Sequence, residues 1–334
     1  MKPIALDAMG GDKMPQAAIE GALMASQEGI PVVLVGKEEL LQKELASRGA
    51  ELPIHPCDDF FTMEDHASDV RKRKGSSIMV GMNLVKEGAA SACVSMGHSG
   101  ASMAAALLVL GRIKGIERPA ILTNIPKKDG YVGLLDAGAN ADCRPAHLQQ
   151  FAIMGSVYAQ TFYGKAEPSI GLVSIGEEEG KGNDLTREAF DLLKVTPGIN
   201  FYGNVEGRDL LKGTTDIFVT DGFTGNVMLK LAEGEAKEIF SWIKDALTNS
   251  GFLVKIGAAL VKPALKKLAD RMDPYEYGAQ PLLGVKGYAF IGHGSSDERA
   301  VRNALRTAKR SVEADLVARI TRGLEKLAAT ESLA

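Results

Sequence analysis

The sequence has few of the residues that mark secreted, metal-binding or nucleic-acid-binding proteins. Its 334 residues include only three cysteines, Cys57, Cys93 and Cys143, which form neither a CxxC metal pattern nor a disulfide framework. The five histidines have no metal-ligand spacing. The net charge is −3, so the chain lacks the strongly basic composition that is typical of nucleic-acid-binding proteins. These absences predict a cytosolic protein with no metal and no nucleic-acid partner.

Long hydrophobic runs are scarce as well. The chain reaches Asp7 before an apolar run of signal-peptide length develops. One uncharged stretch, from Gly88 to Gly111, is long enough to span a bilayer, but it is rich in Gly, Ala and Ser and contains His98. It is better interpreted as a buried strand, a loop and a buried helix. Cys93 lies in that strand, where a core position is a better interpretation than a nucleophile.

Three fingerprints of common active sites are absent. There is no GxGxxG, the motif of dinucleotide-binding proteins. Its absence disfavours an NAD-dependent oxidoreductase, which is one alternative enzyme class. The loop at residues 176–182 is one residue short of a P-loop, and Gly182 stands where the Mg²⁺-binding hydroxyl would be. GxSxG is absent, although Gly97 to Gly100 resembles a fragment of it.

The composition is that of an ordinary globular protein, with 45% hydrophobic and 24% charged residues. Short apolar segments alternate with helical patterns, which predicts an α/β fold with a mostly parallel sheet covered on both faces. A hairpin around residues 127–130 is an exception. We expect a single domain over residues 1–334, with an amphipathic helical element protruding at about 248–275. Two lobes with a cleft between them are the alternative.

Two helix boundaries are predicted from local signals. Ser295-x-x-Glu298 is a capping-box pattern, which predicts a long final helix running to about Leu327. Pro263 predicts that residues 251–271 break into two short helices.

Three glycine-rich turns follow predicted strands, at residues 7–12, 95–100 and 221–226. We expect all three at one edge of the sheet, where α/β sheets bind ligands. Each precedes a helix, whose free N–H groups favour anions. One such turn is weak evidence, because glycine often only supplies a positive φ, but three together predict an anionic ligand. A fourth loop, at residues 176–184, carries Lys181; it is either a phosphate-binding loop or a solvated charged loop.

Two basic segments suggest partners. Residues 251–271 mix apolar and basic side chains, which is typical of a helix in a membrane interface, although packing on its own domain or on a dimer partner is the alternative. The apolar residues predicted to contact a membrane are Phe252, Leu253, Ile256, Leu260 and Val261. The final helix carries four arginines on one face, which either are solvated or receive an acidic partner: Arg299, Arg302, Arg306 and Arg310. The run at residues 71–74 is a second candidate for that docking.

Six motifs carry a resemblance to a known family. They are DAMGGD at 7–12, LLDAGANADCRP at 134–145, IGEEEGKGNDL at 175–185, GNVEGRD at 203–209, DGFTGNV at 221–227 and GHGSSD at 292–297. With these the chain resembles, essentially end to end, the bacterial phosphate acyltransferases of the PlsX type. One departure is visible, since Gly-His-Ser-Gly at 97–100 replaces the family's usual Gly-Asn-Thr-Gly.

The resemblance implies a Rossmann-like α/β/α sandwich, related to the isopropylmalate dehydrogenase-like and phosphotransacetylase folds, and a homodimer without metal or organic cofactor. The implied activity is reversible transfer of a long-chain acyl group from acyl carrier protein to inorganic phosphate, giving acyl phosphate for phospholipid synthesis. The implied next partner is a membrane glycerol-3-phosphate acyltransferase of the PlsY type. The implied location is cytoplasmic, with peripheral association at the inner face of the cell membrane.

This chemistry needs no catalytic triad. Phosphate is already a nucleophile near neutral pH, and a thiolate leaves readily because the thiol pKa is about 8.5 or somewhat higher. The protein must hold phosphate and stabilise the tetrahedral oxyanion. We predict that Lys181 binds phosphate and that the Asn226 amide donates to phosphate or oxyanion.

The remaining predicted site residues fall into two groups. Those expected to line the phosphate and substrate site are Gly10, Gly11, Gly97, His98, Ser99, Gly100, Gly222 and Gly225. Those expected to orient the loops and Lys181 are Asp7, Asp12 and Asp221. His98 could equally be structural. A scaffold that binds carrier protein and membrane without turnover is the non-enzymatic alternative.

Overall fold

The computed structural model describes residues 1–331 and consists of one eleven-stranded sheet with helices on both faces. The strands are β1 (Ile4–Asp7), β2 (Val32–Gly36), β3 (Ile54–Pro56), β4 (Ala92–Ser95), β5 (Ala120–Pro126), β6 (Tyr131–Leu135), β7 (Ser169–Val173), β8 (Asn200–Val205), β9 (Ile217–Val219), β10 (Ala279–Leu283) and β11 (Ala289–Gly292). The helices are α1 (Gln16–Gln27), α2 (Glu38–Ser47), α3 (Ser77–Lys86), α4 (Ser99–Val109), α5 (Pro145–Phe162), α6 (Asp184–Lys194), α7 (Gly222–Thr248), α8 (Phe252–Met272), α9 (Glu298–Glu313) and α10 (Leu316–Glu331). The end of the predicted domain, residues 332–334, lies outside the described residues.

The sheet consists of two parallel groups joined by antiparallel strands. Its strand order is β3-β2-β1-β4-β11-β10-β5-β6-β9-β7-β8. Neighbours are parallel from β3 to β11 and again from β6 to β8. The three pairs between, β11–β10, β10–β5 and the predicted hairpin β5–β6, are antiparallel. The mostly parallel α/β fold predicted from the sequence is therefore confirmed.

Three successive reversals make the two parallel groups point in opposite directions. We call the edge at the carboxyl ends of β1, β4 and β11 the first edge, and the edge at the carboxyl ends of β6, β9 and β7 the second edge. The prediction that all three glycine-rich turns share one edge is wrong. The turns at 7–12 and 95–100 lie at the first edge, and the turn at 221–226 lies at the second, because the central strands reverse the direction of β9.

The strand side chains alternate between the two faces of the sheet. Ile4 and Leu6 join one core cluster with α1 and α9, whereas Ala5 between them packs towards α3. Both sides of β1 are buried, as expected for a strand covered by helices on both faces. These helices pack on β1 from both sides and so support the loop that follows it at the first edge.

Both predicted helix boundaries are corrected by the structure. α8 runs unbroken through Pro263, and since no α8 residue is buried, the hydrogen bond lost at the proline disturbs no core. The predicted final helix is two helices, because Asp315 adopts φ 52° and ends α9 before α10 begins. The cap of α9 is Asp297, whose carboxylate accepts the Ala300 N–H at 2.9 Å, rather than Ser295.

A pair of glycine substitutions tests the close packing of α1 on α9. A Cβ on Gly21 would lie 2.4 Å from the Val301 Cβ, so Gly21→Ala is expected to lower the free energy of unfolding by about 1–3 kcal/mol. Gly234→Ala, in α7 with open space around it, is expected to raise stability by about 0.5–1 kcal/mol. Chemical denaturation measures both, and equal stability of the two variants would contradict the packing.

Candidate functional site

At the first edge, Asp7 holds the turns after β1 and β4 together. Its carboxylate accepts the Met9 N–H at 3.1 Å and the Ser95 hydroxyl at 2.7 Å. The Ser95 oxygen in turn accepts the Gly97 N–H at 3.1 Å. Asp7 is buried, and this burial raises its pKa. A Cβ on Gly10 would lie 2.8 Å from the Gly97 nitrogen, so this close approach requires glycine.

The other predicted residues of the first edge surround this pair of turns. Gly11 has φ 93°, and the Asp12 N–H donates to the Gly294 carbonyl at 2.8 Å. His98 caps α4, since its Nδ1 accepts the Ala101 N–H at 3.1 Å. A structural role therefore accounts for one His98 nitrogen. Residues 99 and 100 form the first turn of α4, so the first edge brings together all eight of its predicted residues.

At the second edge, α7 begins at the turn predicted to bind an anion. Asp221 caps this helix, with its carboxylate accepting the Thr224 N–H and hydroxyl, both at 2.8 Å. The Gly222 N–H donates to the Asn140 carbonyl at 2.7 Å, and the Gly225 N–H donates to the Asp221 carbonyl at 2.9 Å. These two N–H groups are thus occupied within the protein. Asn226 lies one turn into the helix.

Asp136 is the functional candidate that the sequence analysis missed. Its side chain is fully buried, and burial raises its pKa. One carboxylate oxygen accepts the N–H groups of Ile121, Gly138 and Ala139 at 3.1, 3.1 and 2.9 Å. The other accepts the Asn140 N–H and side-chain amide, both at 2.8 Å. The motif at 134–145 was visible, but no local pattern indicated that Asp136 would be buried.

The turn that this carboxylate organises contacts the start of α7, which carries Asn226. A Cβ on Gly225 would lie 1.9 Å from the Asp136 carbonyl oxygen, and one on Gly222 would lie 2.7 Å from the Asn140 backbone. The position of a Cβ on Gly138 is 3.5 Å from the Asn226 Cβ. The start of α7 therefore rests directly on the turn that Asp136 organises, and the glycines permit this contact.

The loop carrying Lys181 follows β7, the parallel neighbour of β9. The Ser174 hydroxyl donates to the Lys181 carbonyl at 3.1 Å, and the Asn204 amide donates to the Glu178 carbonyl at 2.8 Å. Among residues 1–331, no carboxylate pairs with the Lys181 ammonium, and no hydrogen bond or ion pair joins it to Asn226 or Asp221. The structure thus places Lys181 and Asn226 at the same edge, with the lysine charge unneutralised.

No activated thiol stands beside these residues. The Cys143 sulfur lies 3.7 Å from the Asn140 carbonyl oxygen, and burial raises the pKa of its thiol to about 12. Burial also raises the pKa of Cys57 to about 11, and that of the fully buried Cys93. Thiolate catalysis needs a lowered pKa, so these cysteines are poor nucleophiles.

An apolar cavity of about 60 Å³ lies along α7, between this helix and strands β5 and β10. The apolar residues that line it include Leu122, Ile125, Leu211, Leu229, Ala232, Ala236 and Met272. At its far end His293, after β11, lies 3.8 Å from the Glu233 carboxylate. Since α7 rises about 10 Å from Asn226 to Glu233, the helix connects the two edges.

The arginine face predicted to dock an acidic partner is largely neutralised within the chain. Arg299 pairs with Asp273 at 2.7 Å, and Arg306 pairs with Glu28 at 2.5 Å. The remaining two are also engaged, as Arg302 lies 4.0 Å from Glu28 and Arg310 stacks on the Phe162 ring. In the alternative run, Arg73 pairs with Asp59 and Asp65, and Lys72 with Asp69.

The apolar side chains of α8 are unusually exposed. Leu253 is 81% exposed, Phe252 78% and Leu260 77%, and Ile256 and Val261 are also exposed. Within residues 1–331 no helix is both long enough and apolar enough to cross a bilayer.

Known proteins resemble this chain in sequence and in structure. A phosphate acyltransferase of Thermus thermophilus is 57% identical over 97% of this chain and 99% of its own length. That of Desulforamulus reducens is 51% identical over 97% and 98%. A phosphotransacetylase structure from Streptococcus pyogenes, 16% identical, superposes with a TM-score of 0.63 over 93% of this chain and 94% of its own.

The structural comparison identifies the fold, and the sequence comparison identifies the family. The α/β architecture is that of the phosphotransacetylases, as predicted. The fatty acid synthesis protein family matches residues 2–319, and the chain belongs to this family.

Replacing Asp136 tests the organisation of the second edge. Asp136→Asn places an amide donor among N–H groups that need an acceptor, so we expect the free energy of unfolding to fall by about 2–4 kcal/mol. Asp142→Asn is the matched control, because Asp142 is exposed in the same loop. Denaturant unfolding measures both, and equal stability of both variants with the wild type would show that the Asp136 network does not stabilise the fold.

Proposed function

We propose that this protein transfers a long-chain acyl group from acyl carrier protein to inorganic phosphate, giving acyl phosphate. The observation that supports this most strongly is the 57% identity, over nearly the whole chain, to a phosphate acyltransferase. The unpaired lysine and the absence of an activated thiol agree with a reaction in which phosphate is the nucleophile.

The proposed reaction is a direct displacement. A phosphate oxygen attacks the thioester carbonyl carbon and forms the new C–O bond. The tetrahedral oxyanion then collapses, the C–S bond breaks, and the electron pair leaves with the thiolate. Because thiols ionise at a pKa of about 8.5, the leaving group needs little acid assistance. The same steps in reverse return the acyl group to the carrier.

Two side chains carry the proposed catalysis. Lys181 offsets the charge of phosphate at the second edge, where no carboxylate of the described chain pairs with its ammonium. The Asn226 amide donates to phosphate or to the oxyanion, from a helix start held by the Asp136 turn. The apolar cavity along α7 receives part of the acyl chain. The glycine turns of the first edge lie towards the middle of α7, where His293 approaches Glu233, and contribute to the substrate cradle.

We also propose how the protein meets its partners. The exposed apolar face of α8, interspersed with lysines, suits the interface of an anionic membrane. A cytoplasmic homodimer held peripherally at the inner face of the membrane would release acyl phosphate close to a membrane glycerol-3-phosphate acyltransferase. A scaffold that binds carrier and membrane without turnover is the competing interpretation.

The proposed function is tested by trapping its product, acyl phosphate. The purified protein is incubated with phosphate and long-chain acyl carrier protein, or with acyl-CoA in parallel, and acyl phosphate is trapped with hydroxylamine. Phosphate-dependent hydroxamate from the carrier-protein reaction alone is expected. Product only from acyl-CoA would indicate an ordinary phosphotransacetylase, and no product from either donor would favour the scaffold.

Substitutions at the second edge should lower the activity without lowering the stability of the protein. Lys181→Met and Asn226→Ala are each expected to lower kcat/KM about 100-fold, because each removes a donor to the reacting anion. The thermal unfolding temperature should stay unchanged. Lys128→Met, on an exposed hairpin residue, is the control and should retain full activity. Wild-type kcat/KM in a folded variant would remove that residue from the site.

Liposome binding tests the membrane proposal. Leu253→Glu and Leu260→Glu place charges on the exposed face of α8, so each should abolish sedimentation with anionic liposomes while activity in solution survives. Val195→Glu is the control, because Val195 is 76% exposed outside α8. If the α8 variants still sedimented like the control, α8 would not be the membrane contact.

A further inference from the structure

Two turns at the second edge form one unit beside the proposed site. One turn covers residues 111–118 before β5, and the other covers residues 284–287 between β10 and β11. The Ile113 N–H donates to the Gly284 carbonyl and the Lys286 N–H donates to the Gly111 carbonyl, both at 2.9 Å. Arg112 also forms an antiparallel bridge with Val285. The two turns therefore hold each other in place.

Four cations project from this unit. The apolar residues between them face the core, with Ile113, Ile116 and Val285 no more than 5% exposed. All four cationic residues are exposed, and we call them the basic rim: Arg112, Lys114, Arg118 and Lys286.

The basic rim keeps its charge. Within residues 1–331, none of its four cations has a carboxylate within ion-pairing distance. The nearest acidic residue in the chain, Glu117, is engaged by Arg144 and by His147, the latter at 3.1 Å. Arg112 donates instead to the Glu117 backbone carbonyl. An external anionic surface can therefore pair with the rim without displacing an internal carboxylate.

The two basic helices of the protein, α8 and α9, differ from the rim. The arginines of α9 are mostly paired with carboxylates, as with Arg299 and Arg306. The lysines of α8 are interspersed with exposed apolar side chains, which suits a lipid surface. The rim has cations on a backbone fixed by hydrogen bonds and no exposed large apolar side chain, which suits a folded acidic protein.

The basic rim lies next to the start of α7. The Pro119 carbonyl, one residue after Arg118, accepts the Asn140 side-chain amide at 2.8 Å, and the Asn140 carbonyl accepts the Gly222 N–H at 2.7 Å. In strand order, β5 is two strands from β9 and β10 is three. At about 4.8 Å per strand, the rim lies about 10–14 Å from the turn that leads to Asn226.

We propose that the basic rim is the docking surface for the acidic carrier protein that delivers the acyl thioester. This proposal rests on the proposed function, since only a carrier-bound donor needs such a surface. Docked there, the carrier would present its thioester arm towards the start of α7. Opposite charges would accelerate encounter and fix the orientation, with an effect that weakens as salt rises.

Binding of holo acyl carrier protein tests the proposal without requiring turnover. The Kd is measured by fluorescence anisotropy at low and high salt for the wild type and for the double variant K114E/K286E. Arg118 is left unchanged because it lies closest to the site. The control is K43E/R322E, which makes the same change in net charge on α2 and α10 at exposed residues. If melting shows that reversal destabilises the turns, K114Q/K286Q is measured in its place.

The rim variant is expected to weaken carrier binding at least about tenfold at low salt and to lose most of the salt dependence, while the control binds like the wild type. An unchanged Kd, or equal weakening by the control, would overturn the proposal. Loss of binding to anionic vesicles with carrier binding retained would overturn it in favour of a lipid surface. If the wild type binds carrier through the rim but forms no acyl phosphate, the docking surface stands and the proposed function fails.

Discussion

The buried Asp136 carboxylate is the constraint on which the rest of the second edge depends. It sits in the core with five N–H donors around its two oxygens, which compensate the cost of burying it. Those bonds shape the turn after β6, and α7 packs on that turn so closely that only glycine fits at 222 and 225. The start of α7, which carries Asn226, therefore rests on this polar cluster, and the Asn140 side chain links the cluster to Pro119 beside the basic rim.

The reversal of the central strands determines at which edge of the sheet each glycine-rich turn lies. A fully parallel sheet would collect every glycine-rich turn at one edge. Here the antiparallel strands β10 and β5 divide the turns between opposite edges, and α7 spans the distance between them. A reaction that joins phosphate to the end of a long acyl chain matches such an elongated arrangement. In the proposed mechanism Lys181 offsets the charge of phosphate, and the raised pKa values of the thiols make the cysteines poor nucleophiles.

Sequence patterns predicted what depends on local chemistry. Alternating strands and helices, the β5–β6 hairpin and the surface character of residues 252–272 could all be inferred from composition and periodicity. Long-range features could not. β10 contains Pro281 and has no strand signal in the sequence, so the sequence does not reveal that the glycine-rich turns lie at two edges. The α9 arginines look free along the sequence, but Glu28 and Asp273 reach them from distant segments. Asp136 looks like any loop aspartate until the fold buries it. The domain limits and the individual site residues remain predictions.

The central claim is that phosphate binds at the second edge. The affinity of the protein and its variants for labelled phosphate tests this claim most directly. Equilibrium dialysis with ³²P-labelled phosphate gives the Kd for the wild type, for Lys181→Met and for His98→Ala at the first edge. The account predicts that Lys181→Met weakens binding by about tenfold or more, because a charge-assisted contact is lost, whereas His98→Ala binds like the wild type. The opposite pattern, with affinity lost in His98→Ala and kept in Lys181→Met, would place phosphate at the first edge and contradict the account.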